Sequence, residues 1–251
     1  TKIEQQQLAE QEFQSFIKTF NKYYETNDEY QRRLQIFTEN SSIVRLHNSQ
    51  NHSWLLGINQ FSDLSQKEFS SLFDREIGVS SKNYKENDLT EIIPAQVDWR
   101  TKGAVTPVKN QWLCWSCWAF TVTGAVESAW FIAGHDLIPL SEQELVDCSW
   151  SYGNTGCDGG ENDYGFQFVV DHGLTTGKNY PYLAKDTECN WEKASQVSAT
   201  ISSYVDVAPN NSTALLIAIS KQPVAVAVQA NQDAFRFYTG GIIDKDCGTN
   251  L

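Results

Sequence analysis

The chain has 251 residues, 41% of them hydrophobic and 20% charged, enough to bury one large core or two smaller ones. Acidic residues outnumber basic ones 31 to 19, for a formal charge of -12, a surplus that disfavours nucleic acid and anionic membrane as partners. No apolar run approaches the roughly 20 residues that span a bilayer, and Thr1 opens no charged-then-apolar leader, so the sequence reads as an ordinary globular protein without membrane insertion.

In chain order, Phe13, Phe16, Ile17 and Phe20 recur at i, i+3, i+4 and i+7 and predict an amphipathic helix between Glu4 and Phe20. A longer helix is expected from Glu29 to Asn48, a stretch without Gly or Pro in which Arg33, Phe37, Asn40, Val44 and Asn48 share one stripe. Ser65 with Glu68 forms a capping-box pattern ahead of Phe69 and Leu72. From about Asp74 to Ile93 the sequence is polar and without period, an extended connector in which cleavage would separate two folding units.

After Pro94 tryptophan, glycine and cysteine become frequent. A helix is predicted from about Ser116 to Ala133, with Gly134 as its C′ residue. Ser141 with Glu144 repeats the capping-box signal, and Asp163 to Val170 reads as a helix stopped near Gly173. Val224 to Val228 and Phe235 to Ile243 look β-rich, so helices precede strands and the class is α+β.

Six cysteines stand at 114, 117, 148, 157, 189 and 247, and their pairing cannot be read from spacing alone. Cys114-x-x-Cys117 leaves redox, zinc and nucleophile readings open. Sequons at Asn51-His52-Ser53 and Asn211-Ser212-Thr213 would permit glycosylation in the secretory pathway. Cys117 falls at the predicted N-terminus of a helix, where unpaired amides and the positive dipole end favour a thiolate, the nucleophilic form.

The stretch Gln111-Trp112-Leu113-Cys114-Trp115-Ser116-Cys117-Trp118 resembles the active-site segment of papain-like peptidases, Gln-Gly-x-Cys-Gly-Ser-Cys-Trp, with tryptophan replacing glycine at 112 and 115. The resemblance extends along the chain. Glu29, Arg33, Phe37, Asn40, Val44 and Asn48 match the prosegment motif of the cathepsin L-like group known as ERFNIN, with valine where its isoleucine is usual. Gly57, Asn59, Phe61 and Asp63 match its Gly-x-Asn-x-Phe-x-Asp companion. Val97-Asp98-Trp99-Arg100, the segment from Leu140 to Cys148, Gly156-Cys157-Asp158-Gly159-Gly160 and Tyr180-Pro181-Tyr182 match further family segments.

The resemblance implies that Cys117 attacks the scissile carbonyl, with Gln111 and the Cys117 amide donating to the oxyanion. It also implies disulfides Cys114–Cys157 and Cys148–Cys189, leaving Cys117 free and Cys247 paired beyond Leu251. Gly159 and Gly160 correspond to a segment that holds the substrate backbone as an added strand. Glu161 and Asn162 stand where the family has apolar residues on the S2 wall, with Ala227 on its far side, which suggests a more polar S2 pocket. Trp115 would narrow S1. The mechanism also needs an imidazole and a residue to orient it, about 130 to 150 residues after the cysteine and so around or past the last residue, Leu251. His47, His52, His135 and His172 are not assigned to that role.

The implied architecture is an inhibitory α-helical prodomain with its linker over residues 1–93, then a papain-like two-lobed peptidase domain over 94–251 whose β lobe is incomplete. The implied protein is the zymogen of a cysteine endopeptidase, monomeric, lysosomal or extracellular, needing no metal or organic cofactor. Its partners are polypeptide substrates and its own propeptide. The alternative is a catalytically inactive papain-like binding or structural protein, motivated by the absent histidine and by Trp112 and Trp115.

Overall fold

A computed structural model describes residues 2–73, 93–245 and 247–248. Apart from Ile93, the expected connector at 74–93 lies outside the described residues. In chain order the elements are α1 (Lys2–Phe20), α2 (Asn27–Asn48), β1 (Trp54–Leu56), α3 (Gln66–Ser70), α4 (Cys117–Ile132), α5 (Glu142–Cys148), α6 (Asn162–His172), α7 (Trp191–Ala194), α8 (Ser212–Lys221), α9 (Asp233–Arg236) and β2 (Tyr238–Gly241). They form two compact units, Thr1–Glu76 with Ala227–Leu251, and Ile77–Val226.

In the first unit the predicted aromatic stripe closes α1 on α2. Phe13 and Phe16, both buried, sit 5.3 and 4.9 Å by ring centroid from Phe37 of α2. Thr26 caps α2 by accepting from the Glu29 amide, and Ser65 and Glu68 complete the reciprocal capping box of α3. Strand β1 pairs antiparallel with β2, Trp54 opposite Gly241 and Leu56 opposite Tyr238, across a register irregularity. Val44, Trp54, Leu56, Ala234 and Phe237 form the apolar cluster beneath this pair. Residues from 227 onward therefore pack with the N-terminal helices.

The second unit is built around the apolar helix α4. Trp118, Ala119, Val122 and Val126 on α4 pack with Leu145 and Val146 of α5 and Phe168 and Val169 of α6 in one buried cluster. Disulfides Cys114–Cys157 and Cys148–Cys189 cross-link its loops. The second capping signal is half realised: Ser141 accepts from the Glu144 amide, but the Glu144 carboxylate turns inward and accepts from the Thr175 amide at 2.8 Å.

The β-rich expectations are met only in part. Asp233–Arg236 is a short helix and only Tyr238–Gly241 pairs as a strand. Val224 to Val228 has the valine content of a strand, yet forms no ladder among the described residues, because strand identity also needs a hydrogen-bonded neighbour.

Candidate active site

Cys117 is the first residue of α4, and its side chain is exposed. Surrounding protein nevertheless withholds water, and this desolvation pushes the thiol pKa up, while hydrogen bonds from the Trp118 and Cys117 amides pull it part of the way back. Ser116, wholly buried, holds the N-cap position of α4 yet makes no side-chain cap. Its Oγ lies 2.6 Å from the Tyr182 hydroxyl, which also donates to the Gln111 carbonyl at 2.9 Å. Phe120 meets the Tyr182 ring edge-on at 4.8 Å.

Gln111 reaches back with Nε2 to donate to the Cys114 carbonyl at 3.0 Å. Trp112 adopts φ +54°, in the left-handed region that favours glycine, and is 71% exposed. Trp115 is half-buried, and its amide donates to the Cys157 carbonyl at 3.0 Å, in the segment that the Cys114–Cys157 disulfide also fastens.

That second segment carries Gly159 and Gly160. Gly159 has φ +117°, and a Cβ on Gly160 would stand 2.7 Å from the Trp118 ring, so each glycine has a structural reason of its own. Asn154, almost wholly buried, accepts from the Glu161 amide at 2.9 Å and so sets the start of α6. Glu161 and Asn162 stand together there, and burial of Asp163, aided by the nearby charge of Asp206 and Glu161, pushes its carboxyl up to about 6. Ala227 is in the first unit, exposed and in irregular backbone.

The four imidazoles have other surroundings. His47 and His52 stack at 4.1 Å beside Trp54, His135 stacks on Trp130 at 3.7 Å, and His172 packs on Phe168 and Trp191. Cys247 is a second free thiol, with Sγ 3.5 Å from the Lys245 carbonyl. Among the described residues no group of three or more His, Cys, Asp or Glu could hold a metal, and no helix is long and apolar enough to cross a membrane.

The prosegment-motif residues meet in the first unit. Glu29 accepts from Arg33 at 2.7 Å, and Arg33 donates to the Asp63 carbonyl and to Glu68. Asn40, buried, donates to the carbonyls of Ser62 and Leu64, and Asn48 pairs with both backbone groups of Leu56. Asp63 accepts from Lys22 and Tyr24, both at 2.9 Å. Asn59 accepts from the Phe61 amide and donates to the Arg236 carbonyl, while the Gly57 amide donates to the Phe237 carbonyl. The stripe on α2 thus fastens the 57–64 loop, and that loop seats on the 236–241 segment.

Sequence reasoning passed over Arg236. Its side chain is 1% exposed, held by the Leu64 carbonyl and Gln66 and covered by the rings of Phe69 and Phe237. The Leu64, Gln66 and Phe69 partners lie in the N-terminal segment. Nothing local announces its burial, because Leu64 and Gln66, which hold the guanidinium, lie some 170 residues away in sequence.

Comparison with known proteins agrees with this arrangement. Residues 93–251 match the papain family cysteine protease profile, and residues 13–69 match the cathepsin propeptide inhibitor domain. The senescence-specific cysteine protease SAG39 of Oryza sativa is 41% identical over 239 residues, 92% of this chain and 70% of that protein. Caricain of Carica papaya is 41% identical over 244 residues, 95% of this chain and 70% of that protein. Among solved structures, the recombinant stem bromelain precursor superposes with a TM-score of 0.84 at 37% identity, covering 97% of this chain and 79% of that one. Digestive procathepsin L 3 of Tenebrio molitor superposes at 0.80 with 34% identity, covering 96% and 80%. The chain belongs to the papain family of cysteine proteases and has the form of a cathepsin L-like proenzyme, an inhibitor propeptide followed by an α+β peptidase region.

Proposed function

We propose that the protein is a cysteine endopeptidase zymogen in which Cys117 is the nucleophile, kept inactive by the segment 1–93 and acting through the region 94–251. The observation that carries this reading is a free, exposed thiol on the first residue of a buried apolar helix, at the positive end of its dipole. The Cys117 thiolate adds to the scissile carbonyl carbon. The C–N bond then breaks as the amine takes up the proton that the Cys117 thiol released, and water hydrolyses the resulting thioester to acid and free thiol. Gln111 has two amide hydrogens and spends one on Cys114, so the other remains for the oxyanion beside the Cys117 amide.

The carboxylates of Glu161 and Asp163, with Asn162 beside them, support a polar S2 pocket. Gly159 and Gly160 hold the substrate backbone, and Trp115 narrows S1. The two disulfides point to an oxidising, secretory-pathway compartment, lysosomal or extracellular. A second reading, an inactive papain-like binding protein, is favoured by the exposed Trp112 and by imidazoles that are all packed elsewhere.

The test is mass spectrometry of the natural protein after acid treatment and quenching during hydrolysis of a peptide ester. An acyl adduct on Cys117, absent in Cys117→Ser, is the expected result. No adduct, with the peptide bound intact, supports the binding reading instead.

A further inference from the structure

We propose that Tyr182 is a positioning residue for the nucleophile: its hydroxyl draws the Ser116 side chain away from the start of α4 and, with the same oxygen, pins the backbone of Gln111. This rests on the reading that Cys117 and Gln111 do the chemistry. A serine at an N-cap ordinarily accepts from the second or third amide of its helix. Here the third amide, of Ala119, is already bonded to the Ser116 carbonyl at 2.8 Å. The group that the Ser116 hydroxyl would otherwise take is therefore the Trp118 amide, which favours the Cys117 thiolate. Ser116 makes no cap bond because its Oγ is 2.6 Å from Tyr182.

Proton counting gives the direction. A phenol has one proton, and Tyr182 donates it to the Gln111 carbonyl at 2.9 Å, so Ser116 is the donor in the short contact. The chain runs from the Ser116 hydroxyl to Tyr182 to Gln111, and joins the residue before the nucleophile to the backbone of the oxyanion donor. The Phe120 ring holds the phenol edge-on, and Glu142, Asp186 and Cys117 are the titratable groups whose charge it feels. Removing the oxygen alone frees Ser116 to rotate and cap Trp118, which withdraws one of the donors that support a thiolate.

The experiment compares wild type, Tyr182→Phe, Ser116→Ala and the double variant of the full chain. It follows the pH dependence of Cys117 alkylation by iodoacetamide, with peptide mapping to separate Cys117 from Cys247. The alkylation midpoint of Tyr182→Phe is expected to rise by about half to one pH unit. Adding Ser116→Ala is expected to bring it back, since no hydroxyl is then left to compete. In turnover, Tyr182→Phe is expected to lower kcat about tenfold at nearly constant KM, less than direct loss of an oxyanion donor. An unshifted midpoint in Tyr182→Phe, or a shift that Ser116→Ala does not reverse, overturns the proposal. A wild-type protein that alkylates but turns over no peptide contradicts the peptidase reading, and the alkylation series still decides this one.

Discussion

Glu29 and Glu68 of the first unit meet arginines near the surface, whereas Glu144 and Asp163 of the second are shielded from water with no cation among the described residues beside them to hold their charge. Arg32 and Arg33 hold Glu29 down to about 2, and at Glu68 burial is outweighed by the Ser65 amide and Arg32, giving about 2 as well. In the second unit burial pushes Glu144 up to about 7 and Asp163 up to about 6. Both disulfides observed among the described residues belong to the second unit. The contrast teaches that acid acts on Glu29 and Glu68 with the opposite sign to Glu144 and Asp163. A depressed carboxylate gives stability that is present above the unfolded value of 4.5 and lost as pH falls toward 2. A raised one is least costly in its protonated form, so the second unit gains as pH falls from about 7 to 4.5. A propeptide held in the first way and a peptidase core built in the second would suit activation in acid.

The comparison can be broken or sharpened by substitution. The largest effect is expected from Cys148→Ser, which opens a link spanning 41 residues of sequence. Chemical denaturation followed at a second-unit tryptophan should show a loss of about 3 to 4 kcal/mol there. Next is Glu144→Gln, which removes the charge that neutral pH forces on a buried group. Between pH 6 and 7 the stability of the second unit should become nearly flat, and below about pH 6 only the smaller gain from Asp163 should remain, where wild type changes by up to about 3 kcal/mol between pH 4.5 and 7 on account of Glu144. A wild-type profile already flat there would show that Glu144 is not the cause.

Arg33→Ala removes the bridge from Glu29 to the Asp63 carbonyl and Glu68. It should destabilise the first unit alone by about 2 kcal/mol, readable as raised hydrogen exchange over 54–56 and 238–241. Gly57→Ala should cost the same unit about 1 kcal/mol, because its Cβ would stand 2.5 Å from Thr239 Cγ2 and the strand pair must give.

Local signals carried much of this. The Phe13–Phe16–Phe20 spacing, the Arg33-to-Asn48 stripe and the Ser65–Glu68 box depend on residues a turn or two apart, and the helices formed where they point. Cys117 was legible because a family pattern surrounds it. Tyr182 stood in a quoted motif, but its role rests on Ser116, 66 residues away. Arg236 and the strand pairing of Leu56 with Tyr238 depend on residues far apart in sequence, which periodicity does not register. Glu144 followed the capping pattern and still departed from it, because a buried amide at Thr175 outcompeted the helix start.

The most direct test is peptide-resolved hydrogen exchange of the natural protein at pH 7 and pH 3.5, corrected for intrinsic rates. The account predicts that protection over 54–64 and 236–241 falls at pH 3.5 while α4 and α5 keep theirs. Loss of protection in α4 and α5 first, with the first unit unchanged, would contradict it.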